Sequence, residues 1–279
     1  MKAYLLCDER EENFSYQLNS YLLSYLSSIG DEKVDDFSKA DYILAFNIDD
    51  FIYDRMIRDK KMKILAFQSS HDFFSSNRRF VIKESILKIY KKADEILLFS
   101  QEGEQFLKDN GIDKKTTILP LSFNKKKREL SDIEKKVFRK NYQYDENAEI
   151  VVSFCPFIDK EEFTLYDSLA RNIPSKQFIF FGYNDRDQVK KSLQERLISS
   201  SNVTYLDYLP SELYESMLFS SSSVFINSSF LSYPTVLADM ISMNKKVVSR
   251  ETVNMKEIMD NPAVEVGHDY KELYDLLKR

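Results

Sequence analysis

The chain has 279 residues, 43% of them hydrophobic and 30% charged, with a formal net charge of −5. This suits one large or two small globular domains and argues against a disordered chain or a nucleic-acid coat. Two cysteines (Cys7, Cys155) and two histidines (His71, His268) exclude a disulfide scaffold and a multi-histidine metal centre. The five glycines (Gly30, Gly103, Gly111, Gly182, Gly267) form no G-x-G-x-x-G, G-x-x-x-x-G-K-[ST] or G-x-S-x-G, so the dinucleotide fingerprint, the P-loop and the hydrolase elbow are absent. The first apolar run is too short for a signal peptide, and no stretch reaches the ~20 apolar residues of a spanning helix. The expected location is the cytoplasm.

Short apolar runs alternate with segments of helical periodicity. Strands are predicted at Met1–Cys7, Ala40–Asn47, Met62–Gln68, Ala93–Ser100 and Thr116–Leu121. Helices are predicted between them at Glu11–Ile29 (with Gly30 just past its end), Asp50–Asp59, Asn77–Lys92 and Gln101–Asn110, the last stopped by Gly111. The pattern then repeats. Strands are expected at Glu149–Phe154, Gln177–Gly182, Asn202–Asp207, Ser223–Ser228 and Lys245–Ser249. Helices are expected at Glu161–Asn172, Asp185–Ile198, Ser211–Phe219, Thr235–Met243 and Tyr270–Lys278. Strands rich in Ile, Val and Phe without polar alternation are buried on both faces, the mark of parallel sheets covered by helices.

The charged, strand-free segment Lys125–Tyr144 separates the two runs. The organisation expected is an N-terminal domain over 1–123 and a C-terminal domain over 124–279. Both would be doubly wound Rossmann-like α/β domains, facing a cleft, with ligands beyond the carboxyl ends of the strands.

Four stretches carry a resemblance. Lys91–Ser100 (KKADEILLFS) is followed by Phe106-Leu107, Gly111-Ile112 and Ile118-Leu119-Pro120. Ile150–Lys160 reads IVVSFCPFIDK. Tyr208-Leu209-Pro210-Ser211-Glu212-Leu213-Tyr214 precedes Val224–Ser228. Tyr233-Pro234-Thr235-Val236-Leu237-Ala238-Asp239 precedes Val247-Val248-Ser249 and Met255-Lys256-Glu257-Ile258. In this order they resemble passages of the GT-B glycosyltransferases of family 4, over about two thirds of the chain. The resemblance implies a GT-B-like fold whose C-terminal domain binds a nucleotide-sugar donor, with the acceptor on the N-terminal side. It implies a metal-independent, retaining transfer of the sugar to a hydroxyl of a saccharide, lipid or protein, with a UDP-sugar as substrate and no cofactor.

Each position also has a reading of its own. Lys160, just past a strand, offers an ammonium to a diphosphate, or is a solvated lysine before the acidic Glu161-Glu162 helix start. Pro234-Thr235 open a helix whose free N–H groups attract phosphate, or form an ordinary helix start. Asp239, about one turn further on, accepts ribose hydroxyls or is a helix-surface aspartate. The resemblance adds Leu209 to the donor-binding set. It also makes His71-Asp72 a loop approaching the donor sugar and diphosphate, where the imidazole hydrogen-bonds the leaving phosphate or a sugar hydroxyl; these two are the implied catalytic positions. His268 has no assigned role. The helix expected over 77–92, with Arg78, Arg79, Lys83, Lys88, Lys91 and Lys92, would offer a basic amphipathic face to anionic membrane at the inner face of the cell membrane, or a solvated face on a sheet-packed helix.

The chain departs from the family pattern at several places, among them Asn244 for the glycine after the E-x7-E helix. Leu231 stands for the first glutamate of E-x7-E, Cys155 for the strand-loop arginine, and Cys7-Asp8-Glu9-Arg10-Glu11-Glu12 for a glycine-rich loop. These motivate an alternative, a catalytically inactive GT-B-like subunit that binds or stabilises a partner transferase or acceptor. A two-domain α/β enzyme of another activity, such as a sugar epimerase, is a third reading.

Overall fold

Apolar strand runs and amphipathic helices alternate throughout the computed structural model. It describes residues 1–7, 12–46, 60–66, 73–76, 79–82, 84–120, 130–153, 160–181, 200–206, 209–226, 237, 239–241, 243–251 and 259–279. The chain divides into two units, Met1–Asn124 and Lys125–Arg279.

In the first unit the strands are β1 (Lys2–Cys7), β2 (Glu32–Lys33), β3 (Tyr42–Phe46), β4 (Lys61–Leu65), β5 (Phe73–Ser76), β6 (Arg79–Ile82), β7 (Glu95–Leu98) and β8 (Lys115–Ile118). Six of them form a wholly parallel sheet in the order β2-β1-β3-β4-β7-β8. β3 and β7 are buried along their whole length. That is why their sequences, YILAF and EILL, show no polar alternation.

Helices α1 (Glu12–Ser28), α2 (Glu84–Lys92) and α3 (Gln101–Asp109) join these strands. α1 and α3 stop in the same way. Gly30 and Gly111 take φ of +74° and +72°. The next amides, of Asp31 and Ile112, then donate back to the carbonyls of Leu26 and Leu107. This is the Schellman ending, which a residue without Cβ adopts at least cost.

The helix expected over Asn77–Lys92 is a correction. Arg79–Ile82 is a strand, paired antiparallel with β5 so that Phe73 lies opposite Ile82 and Ser76 opposite Arg79; the helix begins only at Glu84. The aromatic and β-branched residues Phe80, Val81 and Ile82 favour an extended chain, and the hairpin supplies their backbone partners. The basic amphipathic face over 77–92 is therefore not one helix: Lys88, Lys91 and Lys92 stand exposed on α2, whereas Arg79 belongs to β6. The predicted helices 50–59 and 185–198 lie outside the described residues.

In the second unit β9 (Ile150–Ser153), β10 (Gln177–Phe181), β11 (Val203–Leu206), β12 (Ser223–Ile226), β13 (Lys246–Arg250) and β14 (Val264–Gly267) form one parallel sheet in the order β11-β10-β9-β12-β13-β14. Its helices are α4 (Asp132–Asn141), α5 (Lys160–Asn172), α6 (Ser211–Ser220) and α7 (Tyr270–Lys278), and residues 237 and 239–241 are helical as well.

Tyr166 of α5 anchors the core. Its ring stacks on Phe225 at 6.2 Å and meets Phe178 and Phe180 edge-on at 6.0 and 5.7 Å. Asn202 closes the far end of α5, its Nδ2 donating to the carbonyls of Ala170, Ile173 and Lys176. α4 lies within the segment 125–144 and carries a full capping box, Ser131 with Glu134. It is fixed to α6 where the Phe138 amide donates to Ser216 Oγ and Arg139 donates to the Ser220 carbonyl.

Candidate functional site

The order of the second sheet places its switch point. Counted within the unit, the strands run 3-2-1-4-5-6, so winding reverses between β9 and β12. In such sheets ligands lie beyond the carboxyl ends of the strands at that reversal. β9 ends at Ser153 and leads into α5, whose first residue is Lys160. β12 ends at Ile226 and leads through positions 227–236 to the helical residues 237 and 239–241. The first sheet reads 2-1-3-4-5-6, which puts its own reversal between β1 and β3.

The charges that leave these two points differ. After β1 come Asp8, Glu9, Arg10, Glu11 and Glu12, and after β3 come Asp49, Asp50 and Asp54 with Arg55, Arg58 and Asp59. After β9 come Asp159, Lys160, Glu161 and Glu162, and positions 227–236 carry no charge. An anionic ligand meets less like charge at the second unit.

Of the sequence-derived positions, three are among the described residues, each following a strand of this second sheet. Lys160 begins α5, one residue ahead of the predicted boundary. Leu209 follows β11 and is buried immediately before α6. Asp239 is helical and half-buried, while Leu237 and Met240 beside it are buried. That helical stretch ends in a Schellman arrangement as well. The amides of Asn244 and Lys245 donate to the carbonyls of Ile241 and Met240, and Asn244 stands at φ 55° in the place of the glycine. His71, Asp72, Cys155, Leu231, Pro234 and Thr235 lie outside the described residues.

Tyr214 belongs to the third resembling stretch, where it had no assigned role. It is buried in the first turn of α6, and burial together with the nearby Asp239 carboxylate holds its hydroxyl well above the ordinary tyrosine range. The signal available was a tyrosine two residues past the Ser211-Glu212 helix start, which periodicity alone reads as core.

Among the described residues no group of three His, Cys, Asp or Glu side chains could hold a metal ion. No described helix is long and apolar enough to cross a membrane.

No protein-family model matches the chain, and no curated protein sequence matches it. Solved structures do. The chain is similar to HepE from Anabaena in complex with UDP and glucose, with a TM-score of 0.68 at 13% identity over 100% of this chain and 89% of that one. It is similar to WaaG, a glycosyltransferase involved in lipopolysaccharide biosynthesis, with a TM-score of 0.67 at 11% identity over 100% and 90%. Sucrose-phosphate synthase from Thermosynechococcus elongatus gives 0.59 at 13% identity over 95% and 68%. The fold is that of the GT-B glycosyltransferases: two parallel six-stranded α/β units in one chain.

Proposed function

We propose that this chain is a glycosyltransferase that takes a nucleotide sugar at the carboxyl edge of the second sheet and passes the sugar to a hydroxyl of a saccharide, lipid or protein. The observation that carries the reading is the reversal between β9 and β12, whose outgoing segments lead to Lys160 and to Asp239, with no charge over 227–236. The crystallisation of HepE with UDP and with UDP-glucose supports a UDP-sugar as the donor.

In this reading the Asp239 carboxylate accepts the ribose hydroxyls, and Tyr214 lies beside it. The Lys160 ammonium and the amides at the start of the helix after Pro234-Thr235 stabilise charge growing on the leaving diphosphate. His71 and Asp72 serve from the first unit, the imidazole hydrogen-bonding the leaving phosphate or a sugar hydroxyl. The transfer retains anomeric configuration and uses no metal, because the lysine and the helix start supply the positive charge. The protein works in the cytoplasm.

The test is calorimetric binding of UDP, GDP, UDP-glucose and UDP-N-acetylglucosamine, followed by an assay for slow donor hydrolysis with and without a chelator. One of these ligands is expected to bind. Asp239→Ala and Lys160→Ala are each expected to weaken that binding at least tenfold, about 1.4 kcal/mol, and chelation to leave hydrolysis unchanged. Binding by none of the four would favour the non-catalytic subunit to which Leu231 and Cys155 point.

A further inference from the structure

Charge is spread unevenly along this chain. Positions 125–140 carry eight lysines and arginines against Glu129, Asp132 and Glu134, a net +5 in a chain whose net charge is −5, so the remainder carries −10. The run Lys125-Lys126-Lys127-Arg128 leads towards α4, which holds the other four cations, Lys135, Lys136, Arg139 and Lys140.

The helix turns this charge outward. Phe138 is its buried residue. Ile133, Lys136 and Lys140, at i, i+3 and i+7, share the opposite face and are all exposed, Ile133 to 80%. Lys135 and Arg139, one turn apart, form the flank that meets α6. There Phe219, in the last turn of α6, is 42% exposed. Lys135 Nζ and Lys245 Nζ lie 5.2 and 5.3 Å from its ring centre. Lys245 also donates to the carbonyls of Phe219 and Ser221, and Arg139 to that of Ser220. These carbonyls take up donors but supply only the partial negative charge of a helix end. Asp132 and Glu146 pair with Lys135 and Lys136 at exposed positions, where an ion pair is weak. Arg139, Lys140 and Lys245 have no carboxylate within ion-pair distance among the described residues. Burial and the neighbouring Arg139 cation hold the Lys245 ammonium below the ordinary lysine range, a mark of crowded positive charge.

We propose that this α4–α6 face binds an anionic lipid membrane peripherally. Lys135, Lys136, Arg139, Lys140 and Lys245 meet the headgroup phosphates, and Ile133 and Phe219 reach the boundary of headgroups and acyl chains. Cations clustered around exposed large apolar side chains match a surface that is negative outside and apolar beneath. A membrane also meets such a face without a groove, which an acidic peptide would need for its specificity. The face stands at the amino edge of the second sheet: α6 ends at Ser220 just ahead of β12, and Lys245 immediately precedes β13. The donor site proposed above uses the carboxyl edge, so the two inferences stand or fall separately.

The experiment is flotation of the full-length chain with vesicles of phosphatidylcholine alone and of phosphatidylcholine mixed equally with phosphatidylglycerol. Binding is expected to the mixed vesicles only, and to be lost as salt rises from ~50 mM to ~500 mM. Lys136→Gln with Lys140→Gln is expected to weaken it about 10- to 30-fold, and Ile133→Ser about 3- to 10-fold. All three positions are exposed, so the melting temperatures are expected to match that of the unaltered chain. Lys88→Gln with Lys91→Gln, which removes equal charge from α2 of the first unit, is expected to leave binding unchanged. Equal binding to phosphatidylcholine alone, unchanged binding by the α4 variants, or an equal loss in the α2 variant overturns the proposal. No binding to the mixed vesicles overturns it too, and leaves the face to an acidic protein.

Discussion

The two units contain sheets of equal strand number, yet they are held together differently. The first is tied at the amino edge of its sheet by charge. Glu95, at the start of β7, accepts from Thr117 Oγ1 at 2.6 Å and faces Lys115 Nζ at 2.9 Å and Lys63 Nζ at 3.3 Å. Lys63 in turn lies 4.6 Å over the Tyr42 ring, and the Tyr42 hydroxyl donates to Asp31 at 2.8 Å. The second is filled by rings, with Tyr166 against Phe178, Phe180 and Phe225, and its buried Asn202 closes the end of α5. The first unit should therefore respond to pH, and the second to lost volume.

The largest expected effect is in the second unit. Phe225→Ala removes a fully buried ring that stacks on Tyr166, and should cost about 3–5 kcal/mol in a denaturant titration. Asn202→Ala comes next at about 1–3 kcal/mol, because three carbonyls at the end of α5 lose one shared donor in a buried place. Hydrogen exchange should show both losses in the second unit.

Glu95→Gln tests the contrast from the other side. Burial pushes the Glu95 carboxyl up, but the Thr117 hydroxyl and the ammonium groups of Lys115 and Lys63 outweigh it and hold the carboxyl below the usual glutamate range. A lowered folded value means that the stabilisation is present at neutral pH and is lost as the pH falls through that value. The variant should lose about 1–2 kcal/mol at neutral pH and show a shallower acid decline than the unaltered chain. An identical acid decline in both would remove Glu95 from the account.

The smallest effect is a gain. Gln143 sits at φ 57°, where α4 ends with Tyr144 N–H donating to the Arg139 carbonyl, the arrangement that Gly30 and Gly111 close in the first unit. Gln143→Gly should raise stability by about 1 kcal/mol.

Legibility in the sequence followed the same division. Fully buried strands such as Ile43–Phe46 and Val224–Ile226 announce themselves as unbroken apolar runs. The exposed two-residue strand Glu32–Lys33 carries no such mark, and a parallel neighbour alone makes it a strand. Arg79–Ile82 reads equally as the first turn of a helix, and only its pairing with Phe73–Ser76 decides. α4 is written in its capping box, Ser131 and Glu134, inside a charged segment that was expected only to be free of strands. For the candidate site, residue types pointed to Lys160 and Asp239, and the resemblance to Leu209. That each follows a strand of one parallel sheet is set by strand order, which no local pattern encodes. The closeness of Tyr214 to Asp239 emerges only from the packing of segments distant in sequence.

The most direct test of the donor site is hydrogen–deuterium exchange with and without the ligand that binds most tightly among UDP, GDP, UDP-glucose and UDP-N-acetylglucosamine. Protection should concentrate in peptides spanning 150–172 and 226–243, the chain leaving β9 and β12, with the aromatic core of the second unit unchanged. Protection confined to the first unit, or to segments away from that reversal, would contradict it.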